Sequence, residues 1–112
     1  STVAESQTLS MPNYIHTIPN NNDNQDIVSM GTNGSLLTRK VIENAFEVLA
    51  IHTIAVMQAI DVIDCSKKLS PKGLSIYKSF RKVCSKTIED KPLSSSIGTA
   101  IIFLKESNLT DI

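Results

Sequence analysis

The segment from Val41 to Ile63 limits the folds open to this 112-residue chain more than any other feature. Drawn as a helix with about 100° between residues, it keeps its polar side chains within an arc of about 100°. Counted from just before the segment, those residues are Lys40, Glu43, Asn44, Glu47, Gln58 and Asp61. The remaining arc is apolar and carries Val41, Ile42, Phe46, Val48, Leu49, Val56, Met57, Ile60 and Ile63. A helix of this kind must be buried on several sides, so we expect it at the centre of a helical bundle.

The same segment indicates contact with other chains and argues against a membrane-spanning helix. It is too apolar for a chain of this size to bury alone, so part of its surface is expected to meet other chains. It is not expected to cross a membrane, because Glu47, His52, Gln58 and Asp61 interrupt it. The net charge of the chain is zero at pH 7, which removes the electrostatic case for binding nucleic acid or an anionic membrane.

Two shorter helices are predicted after the long one. Ser70 followed by Pro71 is typical of a helix N-terminus, and this helix is expected to run to about Lys86. Its inner face is predicted to carry Leu74, Tyr77, Phe80 and Cys84. Pro92 introduces the last helix, whose apolar stripe is formed by Leu93, Ile97, Ala100, Ile101 and Leu104. No alternation typical of a strand stands out, so the predicted fold class is all-α.

Residues 1–25 are predicted to form an irregular polar loop that precedes the helical segment 26–112. Pro12 and Pro19 interrupt this region, and it is crowded with Asn residues, whose side chains compete for backbone hydrogen bonds and so favour turns. A long polar loop of this kind in a compact domain is usually functional or disordered. We therefore treat it as the candidate site region.

Cysteine usage and the first residues indicate a cytoplasmic protein. Residues 1–6 lack the basic and apolar runs of a signal peptide, so Cys65 and Cys84 are expected to be reduced thiols. Two cysteines cannot make a zinc site alone, and neither histidine lies at ligand spacing from them. No metal site is predicted.

Short motifs spread along the chain resemble one enzyme family in the correct order. In the candidate loop and just after it they are Thr17-Ile18-Pro19, Asn24-Gln25-Asp26 and Val28-Ser29-Met30-Gly31-Thr32. Farther along they are Glu43-Asn44, Val48-Leu49-Ala50-Ile51, Gln58-Ala59-Ile60-Asp61 and Asp90-Lys91-Pro92-Leu93. The set is similar to the C-terminal part of the aromatic amino acid ammonia-lyases and aminomutases, which include the histidine, phenylalanine and tyrosine lyases and the tyrosine aminomutases.

The resemblance implies a mostly helical, homotetrameric enzyme that acts on an aromatic amino acid. Its electrophile would be a 4-methylideneimidazole-5-one (MIO) group made from an internal Ala-Ser-Gly, and this chain contains no such tripeptide. The chain is therefore expected to be the C-terminal part of a longer lyase, inactive without the remainder of its own enzyme. The resemblance also places the start of the long helix near Asp26, whereas the local breaker signal Gly31–Gly34 places it near Ser35.

Asn24 and Gln25 match the family positions that approach the electrophile and the substrate amine. Neutral amides suit this chemistry, because they stabilise developing charge without competing as nucleophiles. The simpler alternative is an Asn-rich turn with Asp26 as the helix cap. Histidine lyases of the family usually carry Glu where this chain has Gln25, so the resemblance favours tyrosine or phenylalanine over histidine. A tyrosine 2,3-aminomutase fits the same residues.

Several other polar residues are predicted to have structural roles. His52 lies on the apolar arc and is expected to be a hydrogen-bonded core or interface histidine. Lys67-Lys68 and Arg81-Lys82 are expected on solvated helix faces. A rival hypothesis from another class is a non-catalytic helical module that oligomerises through Val41–Ile63. It explains the apolar helix but not the ordered motifs.

Overall fold

The computed structural model describes residues 1–12 and 30–107. Within these ranges every regular element is helical, which confirms the all-α prediction. The elements are α1 (Thr2–Leu9), α2 (Gly31–Ile63), a 3₁₀ turn (Ser66–Lys68), α3 (Pro71–Val83) and α4 (Ser94–Glu106). The chain divides into two compact units, Ser1–Ala45 and Phe46–Ile112, and the boundary lies within α2.

The expectation of an irregular segment over residues 1–25 is wrong for Thr2–Leu9, which form α1. The hydroxyl groups that favour turns are used inside this helix. Ser6 Oγ donates to the Thr2 carbonyl at 3.0 Å and Thr8 Oγ1 donates to the Ala4 carbonyl at 3.1 Å. Such back-bonding is compatible with helix as well as with turn. The later part of the predicted loop lies outside the described residues.

The long helix begins at Gly31, between the two predicted starting points near Asp26 and Ser35. The Gly34 N–H donates to the Met30 carbonyl at 2.8 Å, which makes Met30 the residue before the first turn. Glycine inside a helix costs about 1 kcal/mol relative to alanine. A helix of 33 residues absorbs that cost, because extending an existing helix is cheap compared with nucleating one.

The end of α2 is set by Asp64, which adopts a left-handed backbone conformation with φ of 54°. The Cys65 N–H reaches back to the Ile60 carbonyl at 3.2 Å, and the Asp64 N–H to the Asp61 carbonyl at 3.3 Å. This pair of bonds is the Schellman arrangement that satisfies the last carbonyls of a helix. It turns the chain out of α2 and into the 3₁₀ turn.

The first unit is held together by a polar side chain of α2. Asn44 is 3% exposed, and its Nδ2 donates to Glu5 Oε2 at 2.8 Å and to Ser6 Oγ at 3.2 Å. Lys40 Nζ lies 3.9 Å from Glu5 Oε1. The polar stripe of α2 therefore faces α1 here, and the buried amide is satisfied by hydrogen bonds.

The core of the second unit is aliphatic and aromatic. Phe80 of α3 is fully buried and meets Phe103 of α4 edge to face, with ring centroids 5.4 Å apart. Ala50, Met57, Cys84 and Ala100 complete the buried cluster. This confirms Phe80 on the inner face of α3 and Ala100 on that of α4. Cys84 is buried as predicted but follows α3, which ends at Val83 rather than near Lys86. The predicted cap is also confirmed, since Ser70 Oγ accepts from the Gly73 N–H at 3.1 Å.

Most of the apolar arc of α2 is not buried by the described residues. Val62 and Ile63 are 76% and 70% exposed, and Val48, Leu49, Ile51 and Val56 are also exposed. By length and composition alone α2 could cross a membrane, a criterion that the core helix of a soluble protein also meets. Burial in a central bundle remains a prediction that concerns contacts beyond these residues.

Phe80→Ala is expected to lower the free energy of unfolding of the second unit by about 3 kcal/mol, because it removes a fully buried ring and leaves a cavity. Urea denaturation followed by circular dichroism measures the change. Val83→Ala, at an exposed position of the same helix, should change it by less than about 1 kcal/mol. Equal losses in the two variants would contradict the assignment of Phe80 to the core.

Candidate functional site

The residues predicted to carry chemistry, Asn24 and Gln25, lie outside the described residues, as does Asp26. The helix that begins at Gly31 follows them closely in sequence. Its first turn carries no acidic side chain, so the partial positive charge of the helix N-terminus is not offset there by a carboxylate of that turn. The roles of Asn24 and Gln25 therefore remain predictions.

Gln58, in one of the motifs of α2, holds the connection between α3 and α4 against α2. Its Nε2 donates to the Thr87 carbonyl at 2.8 Å, and its Oε1 accepts from the Thr87 N–H at 3.1 Å. A side-chain amide thus pairs with both backbone groups of one residue, as a neighbouring strand would. Because a loop residue without such partners would leave polar groups unsatisfied near an apolar surface, Gln58 fixes where this connection lies.

Asp61, in the same motif, is the centre of a polar cluster between α2 and α3. Its carboxylate accepts from the Tyr77 hydroxyl and from Arg81 Nη2. Arg81 Nη1 also donates to the Cys84 carbonyl at 3.0 Å, at the C-terminal end of α3. The side chains of Asp61 and Arg81 are each 14% exposed.

The expectation that Arg81 lies on a solvated face is wrong, whereas Lys67, Lys68 and Lys82 are exposed. The guanidinium group of Arg81 lies 6.0 Å from the centre of the Tyr77 ring and 5.8 Å from that of Phe80. A planar cation can pack against rings and still bond a carboxylate, which a lysine cannot do as well. The available sequence signal was the spacing of Tyr77 and Arg81, four residues apart on one helix face.

The hydrogen bond to Asp61, with burial and the negative charge of that carboxylate, raises the pKa of Tyr77 above its ordinary value of 10.0. The opposing effect of Arg81 is smaller. A raised pKa keeps the phenol protonated at neutral pH, where it serves as a hydrogen-bond donor. The cluster is therefore suited to holding α3 against α2, and its phenol is poorly suited to act as a base.

Two apolar grooves flank α2 in the second unit. One, of about 310 Å³, is lined by Ile51, Ile54, Ala55, Gln58, Thr87, Leu93 and Ile97. The other, of about 320 Å³, is lined by Leu49, His52, Thr53, Val56, Met57, Ile76, Phe103 and Leu104. The polar groups of Gln58 are already paired with Thr87, so the first groove offers little to orient a polar substrate.

His52 is exposed on the rim of the second groove, so its prediction as a core histidine is wrong for this chain. Its role in an interface remains a prediction. Cys65 and Cys84 are both free thiols, the first half-buried and the second buried. Across residues 1–12 and 30–107, no group of three or more His, Cys, Asp or Glu side chains is placed to hold a metal ion.

Comparison with known proteins confirms the resemblance. Residues 1–82 match the model of the aromatic amino acid lyase family. The chain is 37% identical over 106 residues to a histidine ammonia-lyase from Staphylococcus saprophyticus, covering 95% of this chain and 21% of that protein. It is 33% identical over 95 residues to an MIO-dependent tyrosine 2,3-aminomutase from Streptomyces globisporus, covering 85% of this chain and 17% of that protein.

The fold agrees with the sequence match. The crystal structure of tyrosine aminomutase from Streptomyces globisporus superposes with a TM-score of 0.90 at 29% identity, covering 98% of this chain and 21% of that one. The chain belongs to the aromatic amino acid lyase family. It spans about a fifth of the length of the curated relatives that it matches.

Asp61→Asn is expected to lower the pKa of Tyr77 toward 10.0, because the charge and the strongest acceptor are removed. The measurement is the alkaline absorbance titration of tyrosinate in a Tyr14→Phe background, which leaves Tyr77 as the sole tyrosine. Asp90→Asn, at an exposed carboxylate, is the control and should leave the midpoint unchanged.

The same shift has a consequence for stability. A folded pKa above the unfolded value means that the bond stabilises the fold below pH 10.0, and that this contribution is lost as pH rises through the raised folded pKa. Removal of Asp61 should flatten that alkaline decline. An unchanged midpoint in the Asp61→Asn variant would show that the bond does not persist in solution.

Proposed function

We propose that this chain forms part of an enzyme that eliminates ammonia from an aromatic amino acid. The observation that carries the proposal is the family match over residues 1–82, supported by the superposition on a tyrosine aminomutase. The motif order in the sequence agrees with it. Because the chain covers about a fifth of its relatives, the proposal concerns an enzyme that includes further polypeptide.

The electrophile of this enzyme is proposed to be an MIO group, which when bound supplies an electron-poor centre for the substrate amine. The chain has no Ala-Ser-Gly, so that group would come from other polypeptide. Asn24 and Gln25 are chemically suited to lie beside it, because side-chain amides both donate and accept hydrogen bonds without carrying charge. They would hold the substrate amine in place and keep its surroundings neutral.

The proposed substrate is tyrosine or phenylalanine, on the strength of Gln25. A carboxylate at this position would favour a cationic or hydrogen-bonding imidazole, since a charge-assisted hydrogen bond is roughly twice as strong as a neutral one. Similarity to a histidine ammonia-lyase over 95% of the chain does not by itself decide the substrate, because substrate choice depends on a few side chains. Transfer of the amine within tyrosine, as in an aminomutase, is the closest alternative.

The enzyme is proposed to be a homotetramer, in which the exposed apolar arc of α2 is covered by other chains. The exposure of Val62 and Ile63 supports some form of association, because soluble monomers seldom leave such patches open. The same observation supports the rival hypothesis of a non-catalytic helical module that oligomerises through Val41–Ile63. The family match favours the enzyme.

The purified 112-residue chain is expected to show no turnover of tyrosine, phenylalanine or histidine, because it lacks the source of the electrophile. Ammonia release and the absorbance of the unsaturated acid products are the measurements. The Staphylococcus saprophyticus histidine ammonia-lyase is the positive control for histidine. Turnover by the chain alone would overturn the proposal that the electrophile comes from polypeptide outside this chain.

A chimera tests the role of Gln25. This chain would replace the matching fifth of the Staphylococcus saprophyticus histidine ammonia-lyase. Gln25→Glu in that chimera should raise the ratio of kcat/KM for histidine to that for tyrosine by about tenfold, or about 1.4 kcal/mol. The matched control is Asn22→Asp, which introduces the same charge in the same Asn-rich run. A similar change in both variants would show that Gln25 has no specific part in substrate choice.

A further inference from the structure

The exposed surface of α3 and of its two flanking connections is rich in lysine. Between Cys65 and Ile88 the sequence has no Asp or Glu, and its basic residues there are Lys67, Lys68, Lys72, Lys78, Arg81, Lys82 and Lys86. Arg81 is set apart from the others, because it is largely buried against Asp61. We call one exposed set of these residues the basic face, and it consists of Lys67, Lys68, Lys78, Lys82 and Lys86.

Neighbouring carboxylates do not balance the charge of the basic face. Within residues 1–12 and 30–107, none of its lysines takes part in a salt bridge. Asp61 is held by Arg81, and the other acids nearby in sequence are Asp64 before the face and Glu89 and Asp90 after it. Charges more than about 8 Å apart are largely screened at physiological ionic strength. A partner in contact therefore responds to this local positive charge, although the net charge of the whole chain is zero.

Two exposed aliphatic side chains lie among these lysines. Val83, the last residue of α3, follows Lys82 and is 50% exposed. Ile88 lies two residues after Lys86 and is 83% exposed. The surface therefore combines positive charge with apolar groups that are open to solvent.

A lysine-rich surface of this kind is expected to stay on the outside of a larger enzyme. Lysine is depleted at contacts between protein chains, and it is almost never fully buried without a charged partner. The exposed arc of α2 differs in this respect, because its side chains are mainly aliphatic and other polypeptide can cover them without removing charges from water.

The composition of the basic face favours anionic lipid over other polyanions. Lysine is a hydrated point charge that attracts phosphate without the fixed two-bond geometry of arginine. Single-stranded nucleic acid is bound by stacking bases on aromatic rings, and the rings of α3 are engaged elsewhere, Tyr77 with Asp61 and Phe80 in the core. Exposed aliphatic side chains gain little beside a phosphate backbone, whereas they can enter the boundary between lipid headgroups and acyl chains.

We propose that the basic face binds the surface of a membrane that contains anionic lipids. Its lysines attract the surface over the range of a Debye length, and Val83 and Ile88 contact the headgroup boundary. The attachment is peripheral and reversible, since no segment has to cross the bilayer. For this face alone, the proposal replaces the expectation that was drawn from the net charge of the chain. It does not depend on the proposed lyase activity.

Co-sedimentation with lipid vesicles tests the proposal. The 112-residue chain should bind vesicles of phosphatidylcholine and phosphatidylserine, mixed at about 3:1, at least about tenfold more tightly than vesicles of phosphatidylcholine alone. Binding should weaken as salt rises from about 0.05 M to about 0.3 M, because the attraction is electrostatic. The chimera described above should bind in the same way, since the basic face stays accessible when further polypeptide is present.

Paired substitutions locate the contact. Lys78→Gln combined with Lys82→Gln should lower the partition onto the phosphatidylserine vesicles by about tenfold. The matched control, Arg39→Gln combined with Lys40→Gln, removes two charges from exposed positions of α2 in the first unit and should lower it by less than about threefold. Ile88→Ser should weaken binding without changing its salt dependence. Circular dichroism checks that each variant keeps its helices.

Several results would overturn the proposal. Equal binding to the two kinds of vesicle would show that exposed apolar surface acts without the lysines, and equal losses in the two paired variants would show that the basic face is not the contact. Tighter binding to a duplex oligonucleotide or to polyglutamate would assign the face to a different polyanion. Binding by the chain that is lost in the chimera would show that other polypeptide covers the face. Lyase activity is measured separately, so none of these results decides it.

Discussion

Within each of the two units, hydrogen bonds made by the polar stripe of α2 hold the shorter elements against this helix. Asn44 binds α1, Gln58 binds the connection after α3, and Asp61 binds α3 itself. Each of these side chains is at least half-buried and each reaches a partner far along the sequence. Without a partner, each would impose the cost of an unsatisfied buried polar group, so within its own unit each bond favours the observed position of the element that it binds.

This use of polar residues reverses the usual pattern of an amphipathic helix. The usual helix turns its apolar stripe toward its own core and its polar stripe toward water. Here the chain's own elements cover much of the polar stripe, and a large part of the apolar arc is left exposed. Such an inversion is expected of a segment whose apolar surface is buried by other polypeptide, which accords with a match to about a fifth of each relative.

Local signals were sufficient for the elements of the second unit, and distant pairings were not visible in the sequence. Ser70 and Pro71 predicted the start of α3, and the apolar spacing of α4 predicted its buried face. Both signals depend on residues that are close in sequence. Helix α1 was missed because its fixing contact, Asn44, lies 39 residues from Glu5. Arg81 was misread for the same reason, since its carboxylate partner lies 20 residues away on another helix. The family followed from short ordered motifs, whereas the roles predicted for Asn24 and Gln25 rest on the resemblance and involve an electrophile whose source tripeptide the chain does not contain.

The pairings of the second unit also bear on how quickly it can form. Tyr77 and Asp61 are 16 residues apart, and Gln58 and Thr87 are 29 apart, so the loops that must close are of moderate length. Loop-closure entropy grows slowly with length, at about 0.6 kcal/mol for each doubling, so these pairings cost little more to form than shorter ones. Both pairings lie within the second unit, so they can form while an apolar surface of α2 is still uncovered. A ribosome or a chaperone would then meet a folded intermediate that exposes apolar surface, rather than an unfolded chain.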